Sequence, residues 1–576
     1  MNVVFPYLCV KIIVMRKKTI LVSVVVAIIA LLFIPNTVAG PMPLWLSIMP
    51  PLIAIVMALL LKEVLSSLFF GILSGTFIMA LYAGNSPTES LLGGVLRVAD
   101  TYMAGSLFDA DHVKIIIFTV FIGGVVRVIT VNGGMKAVVN WLAKRAKTSR
   151  SAQLMTFLMD LCIFFDDYSN TLVVGNTMRP VTDKMRVSRE KLSYIVDSTS
   201  APVVSIAFVT TWIGAELSYI QQGIDTIGLD TSAYSVFFNS LAYSFYPILT
   251  LAFVLMIVFF RRDYGPMFKA EVVARKSLKV NAENDKADDD SNGHILDAFL
   301  PLLILVLGTI AGLMYIGFDA AVWSDLNMSF FSKISATIGN SNSYLALVWS
   351  SLISLLTAIF ITMLRGKIKF VKLMEEVVEG FKSMFNAVVI LTMAWSIALI
   401  TKDMHTAEFV SQLLLDMSLS PALVPIFTFV IACLIGFSTG TSWGTMAILY
   451  PLILPASWLL CQKEGLSTAD SMPLFYNVVA SVMAGAVMGD HCSPISDTTI
   501  MSSLASGCDH LRHVATQFPY ALTVGIVALL FGIIPTAFGF PSWLAFLASF
   551  VILALIVRFI GKKVTDYNGV KKNIEI

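Results

Sequence analysis

One polar stretch interrupts a long apolar segment in the first half of the chain: Phe165-Asp166-Asp167-Tyr168-Ser169-Asn170-Thr171. The apolar segment that contains it spans residues 151–181, and basic residues flank it on both sides, at 132–150 and 179–191. Short basic loops stay in the cytoplasm, so both ends of this segment are expected on the same side of a membrane. A segment that enters and leaves on one side is a re-entrant hairpin, and its polar centre is the expected tip.

The composition of the whole chain predicts an all-α polytopic membrane protein. Of its 576 residues, 57% are hydrophobic and 13% are charged, whereas a soluble domain is about one-quarter charged. Apolar segments near the roughly 20 residues that a helix needs to cross a bilayer recur from end to end. A soluble α/β enzyme is therefore excluded. We interpret the six scattered cysteines as packing residues.

The sequence lacks the signatures of several other activities. It has no Gly-rich phosphate-binding loop followed by lysine, and no cysteine and histidine spacing typical of a metal site. No basic pattern indicates nucleic-acid binding. We therefore expect a protein that is not an enzyme and uses no cofactor, with the lipid bilayer as its surroundings.

A second apolar segment, residues 421–456, has a polar centre at 437–444 and almost no basic residues in its flanks. We interpret it as a second hairpin that enters from the opposite side. About twelve other segments then span the membrane, and 33 of the 39 lysine and arginine residues fall on the cytoplasmic side. This topology predicts a multi-pass protein of the bacterial inner membrane with both termini in the cytoplasm.

The two halves of the chain are weakly similar at a period of roughly 270 residues, and the charge topology gives them opposite orientations. The sequence therefore predicts two inverted-topology repeats with broken helices. The expected units are an N-terminal transmembrane helix or signal-like segment (1–40), a first membrane half (41–262) with its hairpin at 151–181, a cytoplasmic linker (263–294), a second membrane half (295–560) with its hairpin at 421–456, and a cytoplasmic tail (561–576).

Carboxylates inside the apolar segments carry the functional argument, because a charge at membrane depth is costly and usually functional. The residues concerned are Asp160, Asp166, Asp167, Asp197, Asp490 and Asp497. Few basic residues accompany them, and an uncompensated anionic centre is stabilised by a cation or a proton. The sequence predicts Na⁺ or H⁺ binding at five of them: Asp166, Asp167, Asp197, Asp490 and Asp497. Asp160 is also compatible with a structural acid.

Breaks in two helices are expected beside these acids, at 197–202 and at 489–499, because each stretch contains a proline. Unwound backbone at membrane depth must be buried in protein or line a cavity. Nearby polar side chains are candidate ion or substrate ligands: Ser169, Asn170, Thr171, Ser200, Thr439, Ser442, His491 and Ser493. Each could instead only hydrogen-bond backbone groups that the helix breaks leave free. His491 is either a proton carrier or a hydrogen-bonded structural histidine.

The stretch Gly489-Asp490-His491-Cys492-Ser493-Pro494-Ile495-Ser496-Asp497-Thr498-Thr499 resembles the hallmark segment of the NhaC family of Na⁺/H⁺ antiporters. Further blocks are similar to the family at residues 165–170, 178–183, 197–199, 50–54 and 62–64. The resemblance covers about residues 45–560. It implies a secondary carrier with inverted repeats, often a homodimer.

The resemblance implies Na⁺/H⁺ antiport at buried aspartates by alternating access. It does not fix the substrate, because some relatives exchange malate and lactate with ions and others import amino acids. The alternative is therefore a Na⁺- or H⁺-coupled symporter or exchanger of an amino acid or small carboxylate.

Overall fold

The computed structural model describes residues 41–61, 63–143, 146–276, 293–324, 330–366, 368–416 and 420–564. Helices dominate these residues, so the predicted all-α membrane class is confirmed. In the described part, ten helices are long and apolar enough to cross a membrane, or eleven if one pair bent by 49° counts as a span. The number twelve stays a prediction, because the first expected span lies within residues 1–40, outside the described residues.

The first half of the chain contains α1 (Met49–Leu61), α2 (Val64–Tyr82), α3 (Pro87–Arg97), α4 (Ala104–Leu107), α5 (Ala110–Val131), α6 (Gly134–Ala143), α7 (Ser149–Cys162), α8 (Asp167–Lys184), α9 (Arg189–Ile206), α10 (Ile213–Ile227), α11 (Ala233–Ser240), α12 (Phe245–Phe260), strand β1 (Arg262–Asp263) and α13 (Gly265–Lys276). Short 3₁₀ or π turns extend α1, α3 and α11 at Leu44–Ile48, Val98–Met103 and Leu241–Tyr243.

The second half contains α14 (Leu296–Ile316), α15 (Ala320–Ser324), α16 (Phe330–Gly339), α17 (Ser343–Leu364), α18 (Phe370–Ser383), α19 (Phe385–Asp403), α20 (Thr406–Asp416), α21 (Val424–Thr439), α22 (Ser442–Lys463), α23 (Thr468–Cys492), α24 (Asp497–Ser506), α25 (His510–Val527), α26 (Ile534–Ala537), α27 (Ser542–Phe559) and β2 (Lys562–Lys563). Short 3₁₀ or π turns lie at Pro421–Leu423 and Ala528–Ile533.

Hairpin 1 consists of α7, α8 and the four-residue turn between them. Asp166 ends the turn in an extended conformation (φ −156°, ψ 122°), and its side chain caps α8 by accepting a hydrogen bond from Ser169 N at 2.9 Å. Asn170 Nδ2 donates to Asp160 O across the turn at 2.9 Å. The polar stretch therefore lies where α8 begins, as the sequence predicts for a tip, while the re-entrant path through the membrane stays a prediction.

Hairpin 2 consists of α21, α22 and the two residues that join them. Gly440 has φ +67°, and Thr441 then caps α22 from an extended conformation (φ −148°, ψ 124°) that matches Asp166 in hairpin 1. Both arms are individually long and apolar enough to cross a membrane. Re-entrance of residues 421–456 is therefore a prediction too, as is the inverted relation between the two halves.

Each hairpin is followed by a broken helix. Broken helix 1 is α9 and α10, and broken helix 2 is α23 and α24. The second break lies at residues 493–496, inside the predicted stretch. The first was predicted at 197–202, and this position is wrong: α9 continues through Pro202 and ends at Ile206. Within this helix, Ser200 Oγ donates to Asp197 O at 3.2 Å.

The loops that the charge pattern assigns to the cytoplasm contact one another. Arg189 Nη1 donates to Gly507 O at 3.0 Å, Arg275 Nη1 donates to Met185 O at 3.0 Å, and the buried Lys191 pairs with Asp263. Strand β1 pairs with β2 in antiparallel register. These loops therefore share one face of the molecule.

The segment expected to be a solvated linker, residues 263–294, is packed in its first part. Helix α13 buries Met267 and Glu271, and both Ser188 N and Ser188 Oγ donate to Glu271 Oε1 at 2.7 Å. Burial raises the pKa of Glu271, and the nearby Asp263 carboxylate raises it further. Polar residues here hydrogen-bond one another and are buried, which the composition of the segment does not reveal. Residues 277–292 lie outside the described part.

Candidate ion-binding site

A cavity of about 60 Å³ lies where both hairpins and both broken helices meet. Its lining comes from hairpin 1 (Asp166, Asp167, Tyr168), broken helix 1 (Thr211), α18 and α19 with the residue between them (Ser383, Met384, Asn386, Ala387, Ile390), hairpin 2 (Thr441, Trp443) and broken helix 2 (Asp497). Residues more than 300 positions apart thus form one small polar chamber. Three of the five predicted aspartates line it.

The two aspartates of hairpin 1 are buried and are held by broken helix 1. Asp166 Oδ1 accepts a hydrogen bond from Thr211 Oγ1 at 3.3 Å, and Phe165 O accepts one from Thr211 N at 2.9 Å. Asp167 Oδ1 accepts a hydrogen bond from Trp212 Nε1 at 3.2 Å. The adjacent carboxylates therefore use different donors, and the break in the helix supplies both.

Asp490 and Asp497 approach from broken helix 2. Asp490 is buried, and its Oδ2 accepts hydrogen bonds from Ser442 Oγ at 3.2 Å and Thr498 Oγ1 at 3.4 Å. Its Oδ1 has no partner among the described residues. Asp497 begins α24 and is exposed at the cavity wall. Broken helix 2 thus brings Asp497 to the same cavity as Asp166 and Asp167, and brings Asp490 within electrostatic range of Asp167.

The carboxylates of this site lack a basic partner within the described part of the chain. Among the described residues, no lysine or arginine forms an ion pair with Asp166, Asp167, Asp490 or Asp497. The described residues also form no group of three or more histidine, cysteine, aspartate or glutamate side chains placed to hold a metal ion. A cation here would take hydroxyl, carbonyl and one or two carboxylate oxygens, which suits an ion that must leave again.

The remaining predicted aspartate, Asp197, does not line the cavity. Its Oδ2 accepts three hydrogen bonds, from Gln517 Nε2 at 2.6 Å, Thr499 Oγ1 at 3.0 Å and His513 Nε2 at 3.3 Å. Asp197 and His513 are fully buried. This carboxylate therefore joins α9 to α24 and α25, and all three donors bond to one of its oxygens, Oδ2.

None of the eight predicted polar ligands is among the residues that line the cavity, and each contacts another protein group. Thr171 Oγ1 joins hairpin 1 to broken helix 1 through Ser200 Oγ at 3.3 Å, while Ser442 contacts Asp490. The other predicted ligands hydrogen-bond protein groups: Ser169 N donates to Asp166 Oδ2, Asn170 Nδ2 donates to Asp160 O, Thr439 Oγ1 donates to Ile435 O, His491 Nδ1 lies 3.0 Å from Tyr246 Oη, and Ser493 Oγ accepts from Ile495 N.

Several residues of the site were missed from the sequence. Thr211 and Trp212 end an apolar segment and carry no motif, yet they supply the donors to Asp166 and Asp167. His513 and Gln517 lie four residues apart on α25 and hold Asp197. Their i, i+4 spacing, which places two polar groups on one helix face, was the available signal.

Comparison with known proteins identifies the chain. The profile of the Na⁺/H⁺ antiporter family matches residues 203–535, more than half of the chain. The chain belongs to this family. The resemblance seen around Asp490 is thereby confirmed, and this antiporter-family protein is a multi-pass secondary transporter.

Relatives of this antiporter-family chain differ in what their names state. An uncharacterized protein of Haemophilus influenzae is 31% identical over 519 residues, which cover 90% of this chain and 95% of that protein. The malate-2H⁺/Na⁺-lactate antiporter of Bacillus subtilis is 29% identical over 120 residues, 21% of this chain and 23% of the relative. The crystal structure of the Alcanivorax borkumensis YdaH transporter covers 78% of this chain and 90% of its own, with a TM-score of 0.53 and 15% identity, and shares the fold.

Proposed function

We propose that this protein exchanges Na⁺ for H⁺ at the cavity lined by Asp166, Asp167 and Asp497, with Asp490 beside it. The observation that carries the proposal is the uncompensated cluster of carboxylates at the meeting point of both hairpin tips. A buried carboxylate must be neutralised by a cation or by a proton. If Na⁺ and H⁺ compete for the same oxygens, only one of them can travel on each passage, and their fluxes are coupled.

The size of the cavity favours an ion over an organic solute. Its volume is about 60 Å³, whereas pockets for small molecules usually measure roughly 300–1,000 Å³. Two helices begin at this chamber with caps from Asp166 and Thr441. The N-terminal ends of these helices stabilise nearby carboxylates, which supports a charged, cation-binding form of the aspartates.

The test uses purified protein in liposomes with an acidic interior, a pH-sensitive dye and a clamped membrane potential. Addition of Na⁺ outside is expected to make the interior alkaline, and Asp167→Asn is expected to abolish this response. Asp416→Asn is the matched control, because Asp416 is exposed at the end of α20. Proton movement by Asp167→Asn at the rate of the original protein would refute the proposed site.

A second candidate function is exchange of a small carboxylate coupled to the same cation. The half-helix N-termini at the cavity favour it, because their backbone N–H groups also attract anions. The name of the Bacillus subtilis relative describes such an exchange for that protein. Na⁺-dependent uptake of labelled malate or lactate without Na⁺-driven alkalinisation would favour this function over antiport.

A further inference from the structure

Three polar side chains follow one another along α10: Glu216, Tyr219 and Gln222, here termed the α10 stripe. In each, one oxygen has no hydrogen-bond partner among the described residues: Glu216 Oε1, Tyr219 Oη and Gln222 Oε1. Glu216 is 1% exposed and Tyr219 is fully buried. Residues three apart lie close together on a helix surface. Because buried polar atoms without partners are rare, three in succession require an explanation.

The inner end of the α10 stripe reaches the cavity. Trp212 occupies the N-cap position of α10, one helical turn before Glu216. Its indole Nε1 donates to Asp167 Oδ1 at 3.2 Å. A cation leaving Asp167 along α10 would therefore meet Glu216 as the next carboxylate.

The outer end of the α10 stripe reaches an acidic surface. Gln222 Nε2 lies 3.4 Å from His112 Nε2. Asp109, Asp111 and Asp225 all lie close enough to His112 to act on its charge, and Asp111 is paired with Lys114 at 2.7 Å. Asp109 and Asp225 are exposed. Exposed carboxylates at a channel entrance raise the local concentration of cations.

The surroundings of Glu216 suit a cation that is present only during transport. Tyr234 and Tyr450 lie within electrostatic range of its carboxyl group, and the Tyr450 ring stacks on that of Tyr219 with centroids 5.9 Å apart. Among the described residues, no lysine or arginine forms an ion pair with Glu216. Aromatic rings attract a passing cation but do not neutralise a carboxylate permanently.

We propose that Glu216 is a second cation-binding group, placed between the acidic surface and the cavity, and that a monovalent cation passes along the α10 stripe. Tyr450 belongs to hairpin 2, so a movement of hairpin 2 away from α10 opens the stripe to water. The identity of the cation as Na⁺ rests on the proposed function. Glu216 differs from the cavity aspartates because it serves the path and not the exchange itself.

Two measurements on the full chain in liposomes and detergent test this role. The first is uptake of ²²Na⁺ into liposomes loaded with unlabelled Na⁺, which needs no proton movement. Glu216→Gln is expected to slow this uptake about tenfold, the effect of losing roughly 1.4 kcal/mol of cation stabilisation. The second is the Na⁺-induced rise in unfolding temperature, which Glu216→Gln is expected to keep and Asp167→Asn to lose. Glu464→Gln, at an exposed acid that ends α22, is the matched control.

The outcomes separate this proposal from antiport. ²²Na⁺ uptake by Glu216→Gln at the original rate overturns it, as does loss of the Na⁺-induced stabilisation in that variant, which would place Glu216 in the exchange site. Sodium uptake without proton exchange would refute antiport, but ²²Na⁺ uptake by the original protein and by Glu216→Gln could still be compared. No ²²Na⁺ uptake by the original protein overturns the proposal that Glu216 is a second cation-binding group. If Glu216→Gln does not fold, Tyr219→Phe removes one hydroxyl of the same stripe and must slow uptake.

Discussion

Gln517 Nε2 donates a hydrogen bond of 2.6 Å to Asp197 Oδ2 across 320 positions of sequence. The same oxygen accepts from Thr499 and His513, so three helices, α9, α24 and α25, meet at one carboxylate. Three donors aimed at one oxygen stabilise its anionic form. These contacts indicate that Asp197 holds α9 against α24 and α25.

Replacing Asp197 is therefore expected to reduce stability. Asn at this position presents an amide and loses the charge that strengthens three hydrogen bonds, so Asp197→Asn is expected to cost about 1–3 kcal/mol of unfolding free energy. Thermal unfolding in detergent measures this. Asp160→Asn is the matched control, because both Asp160 oxygens lack partners among the described residues and the carboxyl is fully buried. Equal unfolding temperatures for the two variants would contradict the structural role.

Gly440 permits hairpin 2 to approach broken helix 2. A Cβ atom at Gly440 would lie 2.6 Å from Ile495 O, and the residue has φ +67°. Gly440→Ala is therefore expected to abolish exchange by pushing the hairpin away from the break. Gly465→Ala is a close control, since Gly465 has φ +76° and no neighbouring atom within 4 Å. In both variants a Cβ atom at positive φ costs about 1–2 kcal/mol of folding free energy. Only Gly440→Ala is expected to lose transport. Equal transport by both would refute the steric argument.

The hairpin tips were accessible to sequence analysis because two local signals coincided there. Polar residues interrupt an apolar segment at 165–171 and 437–444, and basic flanks mark the ends of the first segment. The contacts of the tips were not accessible, since Thr211 and Trp212 carry no pattern that singles them out. Which backbone break faces which carboxylate is decided by tertiary packing.

Helix α10 shows a second limit. Glu216, Gln221 and Asp225 lower the average hydrophobicity of residues 214–233, which does not indicate a helix at membrane depth. In the structure, residues 213–220 are all buried. A half-helix enclosed by protein does not need an apolar face toward lipid. Its mean hydropathy can therefore be too low to indicate that it lies at membrane depth. For the same reason Glu216 was absent from the carboxylates placed at membrane depth.

Glu63 gives a pH-dependent prediction outside the spanning segments. Its carboxylate caps α2 by accepting from Leu65 N at 2.9 Å and Ser66 N at 2.6 Å. Partial burial acts to raise the pKa of Glu63, but the hydrogen bonds from Ser66 and Leu65 outweigh it and hold the pKa below the ordinary value of 4.5. The carboxylate therefore contributes stability above pH 4.5 that is lost as the pH falls through the lowered pKa.

Glu63→Ala is accordingly expected to lower the unfolding free energy at pH 7 by about 0.5 kcal/mol, a cap contribution reduced by solvent exposure. The difference between variant and original protein is expected to shrink as the pH falls below 4.5. Unfolding temperatures in detergent from pH 7 to pH 3 measure both. Glu464→Ala, at an exposed acid, controls for the loss of a surface charge. A difference that stays constant over this range would contradict the capping assignment.

Replacing Asp490 is expected to remove cation binding without affecting folding. Its Oδ1 has no partner among the described residues, while Ser442 and Thr498 donate to Oδ2 at 3.2 and 3.4 Å. These contacts are long, so Asp490→Asn is expected to insert and unfold like the original protein. Its buried charge is the part that a cation would use, so the Na⁺-induced rise in unfolding temperature and the Na⁺-driven proton flux are both expected to disappear. Asp230→Asn, in an exposed loop, is expected to keep both. A Na⁺-induced rise of the original size in Asp490→Asn would place the cation on hairpin 1 alone.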